Sequence, residues 1–237
     1  MARVLMFAFG AVHAARCAAH AGQHRQEIGY ATIEIPTRHA DAQEKFPIVA
    51  IGASAGGLEA YTKLLAAMPG KTGMAFILVQ HLEPQHASMM VELLAPHTAM
   101  AVVQAAEGMR VRPDHMYVIP PGVYLSVAQG ALHVVHPPER HGARLPFDFL
   151  LHSMAEEYGL RTVCVVLSGC GSDGTLGLAA VRAAGGAIIA QSPDEAMYNG
   201  MPNSAVATGL VDQVLPVAAM PDFLRVQNAM KQPYDNN

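Results

Sequence analysis

IVAIGASAGGLEAYTKLLAAM, residues 48–68, is the stretch that decides the fold. Its opening Ile48-Val49-Ala50-Ile51 is apolar without alternation, the pattern of a strand buried on both faces. From Leu58 to Met68 the apolar residues recur at helical spacing. Between the two lies Gly52-Ala53-Ser54-Ala55-Gly56-Gly57, small enough for a tight turn. Strand, glycine turn and helix form the opening unit of a parallel sheet with helices packed on it.

The same alternation continues outward. A second buried-strand run at 75–79 follows Pro69-Gly70 and leads to a helix expected over 88–94, closed by Pro96. Three short β-rich runs, 116–119, 123–127 and 131–135, are separated by Pro120-Pro121-Gly122 and Gln129-Gly130, and read as a small antiparallel hairpin insertion. A helix at 148–158, a strand at 163–167, a helix at 176–184, a strand at 187–190 and a last strand near 211–214 complete the pattern. The expected fold is a doubly wound α/β structure, a mostly parallel sheet with helices on both faces. No internal repeat is evident.

Composition bounds the function. Of 237 residues, 51% are apolar and 14% charged, enough for a sizeable core and too little charge for a disordered chain. The net charge of −4 and the lack of dense Lys/Arg runs argue against nucleic acid. Cys17, Cys164 and Cys170 cannot all pair and form no C-x-x-C, and the twelve histidines show no ligand spacing, so neither a disulfide framework nor a metal is expected. No run of about 18 apolar residues suggests a membrane span. Residues 1–44 resemble a secretory signal only loosely and read as a disordered or mis-called leader; residues 45–226 form the expected domain, and 227–237 a flexible tail. A cytoplasmic location fits the cysteine usage.

In a doubly wound sheet, ligands sit beyond the carboxyl ends of the strands. Three loops qualify. The first holds Ser54 in a G-x-S-x-G pattern between strand and helix, the context of a nucleophile elbow. A glycine-rich phosphate cradle is a comparable reading, although Leu58-Glu59 stand where a P-loop has Lys-Ser/Thr. The second begins at His81, directly after a strand; His86 and His97 follow the same strand as weaker candidates, and the remaining histidines read as surface or core residues. The third is Ser168-Gly169-Cys170-Gly171-Ser172-Asp173-Gly174. Asp173 alone is best explained as the N-cap of the helix that follows; beside a serine and a histidine at two other strand ends, it completes a triad.

The segments IVAIGASAGGLEA, ILVQHLEP, MYVIPPG, VLSGCGSDGTLGL and YNGMPNSAVATGLVD, in that order, resemble the catalytic domain of CheB-type chemotaxis protein-glutamate methylesterases from about residue 46 to 224. RLPFDFL, GMPNSAVATGLVD and AAEGMRVRPDHMYVIPPG are similar to the subgroup fused to CheR-type methyltransferases. The resemblance implies Ser54 as nucleophile, His81 as base and Asp173 as the residue orienting the histidine. The order Ser, His, Asp differs from that of α/β-hydrolases. It further implies that the backbone amide of Cys170 helps form an oxyanion hole; many relatives carry methionine there, a change that a backbone donor tolerates. For the mechanism, the amide near Ala55 is the expected second donor.

Met201, in Tyr198-Asn199-Gly200-Met201-Pro202, either helps shape a substrate cleft or belongs to a turn ahead of a helix starting near Asn203; the readings weigh equally. Arg144 either meets an acidic receptor surface or is simply solvated, the default. No cofactor is implied. The implied partners are methylated cytoplasmic helices of a chemoreceptor or a related methylated signalling protein, with a CheR-type methyltransferase as a further candidate. Such enzymes usually carry a receiver domain ahead of the esterase, and 44 residues are too few for one, so phosphorylation control within this chain is not expected. A non-catalytic docking module of the same fold is the alternative, and a nucleotide-binding domain the third reading.

Overall fold

Continuous apolar runs become strands covered on both faces. In the computed structural model, which describes residues 46–80, 89–136 and 145–231, β1 (Ile48–Ala53) is buried throughout. Its alternate side chains feed two cores: Ile48 and Ala50 enter one, Val49, Ile51 and Ala53 the other. β1 is followed by α1 (Gly57–Ala67), β2 (Ala75–Gln80), α2 (Met90–Leu94), β3 (Ala101–Gln104) and β4 (His115–Val118). A hairpin, β5 (Tyr124–Ala128) and β6 (Ala131–Val135), precedes α3 (Pro146–Tyr158), β7 (Thr162–Val166), α4 (Gly177–Ala183), β8 (Ala187–Gln191), α5 (Gly200–Ala207), β9 (Gln213–Leu215) and α6 (Met220–Lys231).

Seven strands form one sheet in the order β3-β4-β2-β1-β7-β8-β9, and every pairing in it is parallel. Tyr61, Leu64, Met90, Leu94, Met220 and Leu224 cover one face from α1, α2 and α6. Phe147, Leu150, Leu151, Met154, Leu178 and Val181 cover the other from α3 and α4. The expected doubly wound α/β fold is therefore found. Among the described residues, no helix is long and apolar enough to cross a membrane.

Three local expectations change, and one strand appears that was not expected. The run at 116–119 is not part of the antiparallel insertion: β4 pairs in parallel with β2 and β3 inside the main sheet. A short apolar run between prolines reads the same in either setting, and only its distant partners choose. The antiparallel unit is the β5–β6 hairpin, joined by an isolated antiparallel bridge from Arg110 to Ala131 and turned through Gln129 and Gly130, both at positive φ as a two-residue hairpin loop requires. β3 was not legible at all, being a four-residue edge strand with a half-exposed pattern. The last strand begins at Gln213, two residues later than expected, because the Asp212 side chain accepts the Ile188 N–H at 2.7 Å and an Arg182 guanidinium N–H at 2.6 Å. The boundary expected at 226 falls inside α6.

Candidate active site

From β1 the chain moves to β2 and onward to the β3 edge, and only later returns to the other side of β1 through β7. The carboxyl ends of β1 and β7 thus flank the topological switch point, where a crevice opens in sheets of this kind. Ser54 follows β1 directly, and the loop 168–174 follows β7.

The turn at Ser54 is tight because its neighbours are small. The Gly57 N–H donates to the Ser54 carbonyl at 3.0 Å, and Gly56 sits at φ 73° at the head of α1. A side chain at Gly56 would be strained and would come within 2.6 Å of the Ser168 hydroxyl oxygen. Because the described peptides are trans, the Ala55 N–H points away from the Ser54 carbonyl and hence away from the Gly57 contact. Among the described residues it meets no acceptor. It lies at the amino end of α1, where the helix dipole favours negative charge.

The β7 loop closes on the serine from the other side. The Ser54 N–H donates to the Ser168 carbonyl at 3.0 Å. A Cβ on Gly169 would lie 3.0 Å from that of Ser54 and would overlap the Met201 sulfur, so only glycine allows this approach. Cys170, next in the chain, is exposed with a free thiol, and its N–H also meets no acceptor among the described residues. Cys164, by contrast, is buried in β7, where desolvation pushes its thiol pKa up.

Asp173 is 6% exposed and caps a helix that precedes it in the chain. Its Oδ2 accepts the Phe147 N–H at 3.0 Å and its Oδ1 the Asp148 N–H at 3.1 Å, so it caps α3. α4 is capped in return by Asp148, whose Oδ1 accepts the Gly177 N–H at 2.6 Å. Asp173 thus serves α3, whose head enters between the end of β1 and this loop, in addition to standing ahead of α4. The Phe147 ring fills the space that a Cβ on Gly52 or Gly174 would take, and locks that entry. Asp148 is 5% exposed, and its Oδ2 has no partner among the described residues. Burial, partly offset by the Gly177 amide and reinforced by the Asp173 charge, holds its carboxyl pKa above the ordinary value.

His81, His86 and Arg144 lie outside the described residues. Gln80, which precedes His81, pairs in register with Ala53, which precedes Ser54. His97 is exposed in a short 3-10 turn (Ala95–His97) leading into the amino end of β3, away from the carboxyl ends of the strands. Met201 is 3% exposed in α5, which starts at Gly200 rather than near Asn203; its N–H donates to the Gly169 carbonyl at 2.9 Å, and its sulfur packs on that glycine. Met197 and Tyr198 form an exposed apolar lip beside Gly56. Among the described residues, no group of three His, Cys, Asp or Glu could hold a metal ion.

Two residues of this arrangement escaped the sequence reading. Ser168 had no signal beyond its place in a glycine-rich loop. Asp148 had one, an acidic residue at the third position of a helix after proline, but nothing local tells which helix its side chain serves.

The family model described as CheB methylesterase matches residues 49–224. A protein-glutamate methylesterase/protein-glutamine glutaminase of Anaeromyxobacter dehalogenans is 36% identical over 195 residues, covering 77% of this chain and 55% of its own length. The protein-glutamate methylesterase FrzG of Myxococcus xanthus is 34% identical over 182 residues, with 76% and 54% covered. An uncharacterized 104.1 kDa protein of Rhodobacter capsulatus is 45% identical over 128 residues, which are 54% of this chain and 13% of that one. The chain thus spans about half the length of the methylesterases it matches. The crystal structure of the Thermotoga maritima CheB methylesterase catalytic domain superposes with a TM-score of 0.71 at 29% identity, covering 76% of this chain and 98% of that one.

Proposed function

The chain belongs to the CheB methylesterase family, and on that premise we propose that it hydrolyses methyl esters of glutamate side chains on a protein substrate through Ser54, His81 and Asp173. The observation that carries the reading is the approach of the Gly169 backbone to Ser54 at the switch point, which puts the strand-end loop bearing Asp173 against a serine held in a sharp turn.

A serine hydroxyl is a weak nucleophile at neutral pH, so His81 takes its proton as Ser54 Oγ attacks the ester carbonyl. Asp173 holds the imidazole tautomer and stabilises the imidazolium. The amides of Ala55 and Cys170 receive the tetrahedral oxyanion, and each such donor typically contributes about 3 kcal/mol to transition-state stabilisation. The intermediate collapses, His81 protonates the departing methoxide to methanol, and a water activated by His81 cleaves the acyl-enzyme to give glutamate. The same route cleaves a glutamine amide with ammonia as leaving group, an activity that the names of several relatives include.

The substrates of this reading are methylated cytoplasmic helices of a chemoreceptor or a related methylated signalling protein, which places the enzyme in the cytoplasm, with a CheR-type methyltransferase as its counterpart. Met201 supports the floor of the cleft from beneath Gly169, and Arg144 is available to an acidic receptor surface. Methanol release from methylated receptor tests the proposal. It should vanish in Ser54→Ala and His81→Ala, and a fluorophosphonate should label the wild type and not Ser54→Ala. Full turnover by Ser54→Ala would sink the assignment of Ser54, and a wild type that neither labels nor releases methanol would leave the docking-module reading.

A further inference from the structure

Ser168 is 1% exposed, and it joins four parts of the chain. Its carbonyl accepts the Ser54 N–H at 3.0 Å. Its hydroxyl lies 2.9 Å from the Ala55 carbonyl and 3.3 Å from that of Tyr198, and accepts the Tyr198 N–H at 3.0 Å. Its own N–H donates at 2.8 Å to Oε1 of Gln191, a buried residue of β8. A hydroxyl has one proton to give. The contact to the Ala55 carbonyl is the shorter of the two, so the proton goes to Ala55.

The consequence lies in which peptides are held. The peptide bearing the Ala55 N–H joins Ser54 to Ala55. On its amino side, the preceding peptide is fixed through the Ser54 N–H; on its carboxyl side, the following peptide is fixed through the Ala55 carbonyl. Both partners belong to Ser168. Two residues further on is Cys170, whose N–H is the other oxyanion donor. The Gly57 N–H holds the Ser54 carbonyl end of the Ala55 peptide, and one side chain with its backbone holds the peptides on both sides of it and ties the first donor to the loop of the second.

Resting on the esterase reading above, we propose that Ser168 is the positioning residue of the oxyanion hole, acting through the Ala55 peptide and touching no reacting atom. Donors aimed in advance are effective because nothing has to reorganise as charge develops. An Ala55 peptide released on one side loses that advantage in the transition state while the bound ester is scarcely affected.

The test uses the full chain and compares wild type, Ser168→Ala and Ser168→Cys for methanol release, for fluorophosphonate labelling rate and for inhibition by a boronic acid, whose tetrahedral adduct with Ser54 places an oxygen in the hole. Ser168→Ala should lower kcat by roughly 10- to 100-fold with KM within about twofold, as expected when positioning is lost. The boronate should weaken by a similar factor, and Ser168→Cys, which keeps an atom in the slot with a weaker donor, should fall between. Wild-type kcat in Ser168→Ala, or a raised KM with unchanged boronate affinity, would overturn the proposal. If the alanine variant does not fold, the cysteine variant carries the same comparison; if neither folds, Ser168 is a folding residue and the proposal is wrong. A wild type that neither labels nor releases methanol defeats the esterase reading itself and takes this inference with it.

Discussion

Asp173 and Asp148 cap each other's helices: Asp173, in the loop before α4, accepts the Phe147 and Asp148 amides at the head of α3, and Asp148, on α3, accepts the Gly177 amide at the head of α4. Each carboxyl group satisfies amides that a helix start leaves without partners. The arrangement fixes the orientation of Asp173 through its backbone partners, and it sets two acidic groups side by side in a buried place.

That juxtaposition has a pH signature. The folded-state pKa of Asp148 is raised, chiefly by burial and further by Asp173, with Cys164 as the other titratable group coupled to it. The stability that its neutral form contributes is therefore fully present below the unfolded value near 3.8 and lost as pH rises through the folded value. Asp148→Asn cannot ionise and should gain melting temperature relative to wild type as pH increases across the acidic range, then hold a constant difference. Thermal melts from pH 3.5 upward read this; a difference that shrinks with rising pH would contradict it.

Ser54→Ala and Asp173→Asn should separate chemistry from folding. Ser54→Ala removes only a hydroxyl from a strand-end turn, so it should abolish turnover and shift stability by less than about 0.5 kcal/mol. Asp173→Asn turns one accepting oxygen into a donor facing an α3 amide. It should lower kcat by roughly 10³- to 10⁴-fold and destabilise by about 1–3 kcal/mol. Parallel denaturant melts and methanol assays distinguish the two.

Gly169→Ala should be inactive for steric reasons. Its Cβ would sit 3.0 Å from the Ser54 Cβ and inside the Met201 sulfur. Overpacking of this kind costs about 1–3 kcal/mol, and on the proposed mechanism displacing Ser54 should cost roughly 100-fold or more in kcat. Adding Met201→Ala removes the sulfur clash but not the one with Ser54. The double variant should regain stability relative to Gly169→Ala without regaining turnover; recovered activity would show that Met201, not Ser54, made the difference.

The amino end of the sheet supplies the contrast. Asp114, just before β4, accepts the Thr72 N–H at 2.6 Å, the Gly73 N–H at 2.9 Å and the Thr72 hydroxyl at 3.1 Å through one oxygen. Burial alone would raise its pKa, but these hydrogen bonds outweigh that effect and lower it. Its contribution is thus present above the unfolded value of 3.8 and lost as pH falls through the folded one. Asp114→Asn keeps a residue tolerant of the φ of 57° here, and should cost about 1–2 kcal/mol at pH 7 with kcat unchanged. The deficit should narrow as pH falls below 3.8.

What the residues alone determined is what neighbours in the chain determine. The apolar run 48–51, the small residues around Ser54 and the helical spacing from Leu58 act within about twenty residues, and the alternation of such units already implied a parallel sheet with functional loops at its carboxyl ends. The positions of Ser54 and Asp173 at two strand ends followed from that. The tertiary structure alone decided that residues 116–119 join the main sheet, that β3 exists, that Asp173 caps α3, and that Ser168 grips the elbow. Those outcomes rest on bonds between residues 25 apart for Asp173 and Asp148, and 113 apart for Ser168 and Ala55. A serine or aspartate offers the same acceptor to any amide that comes within reach, and which amide arrives is settled only by the order in which the strands lie side by side.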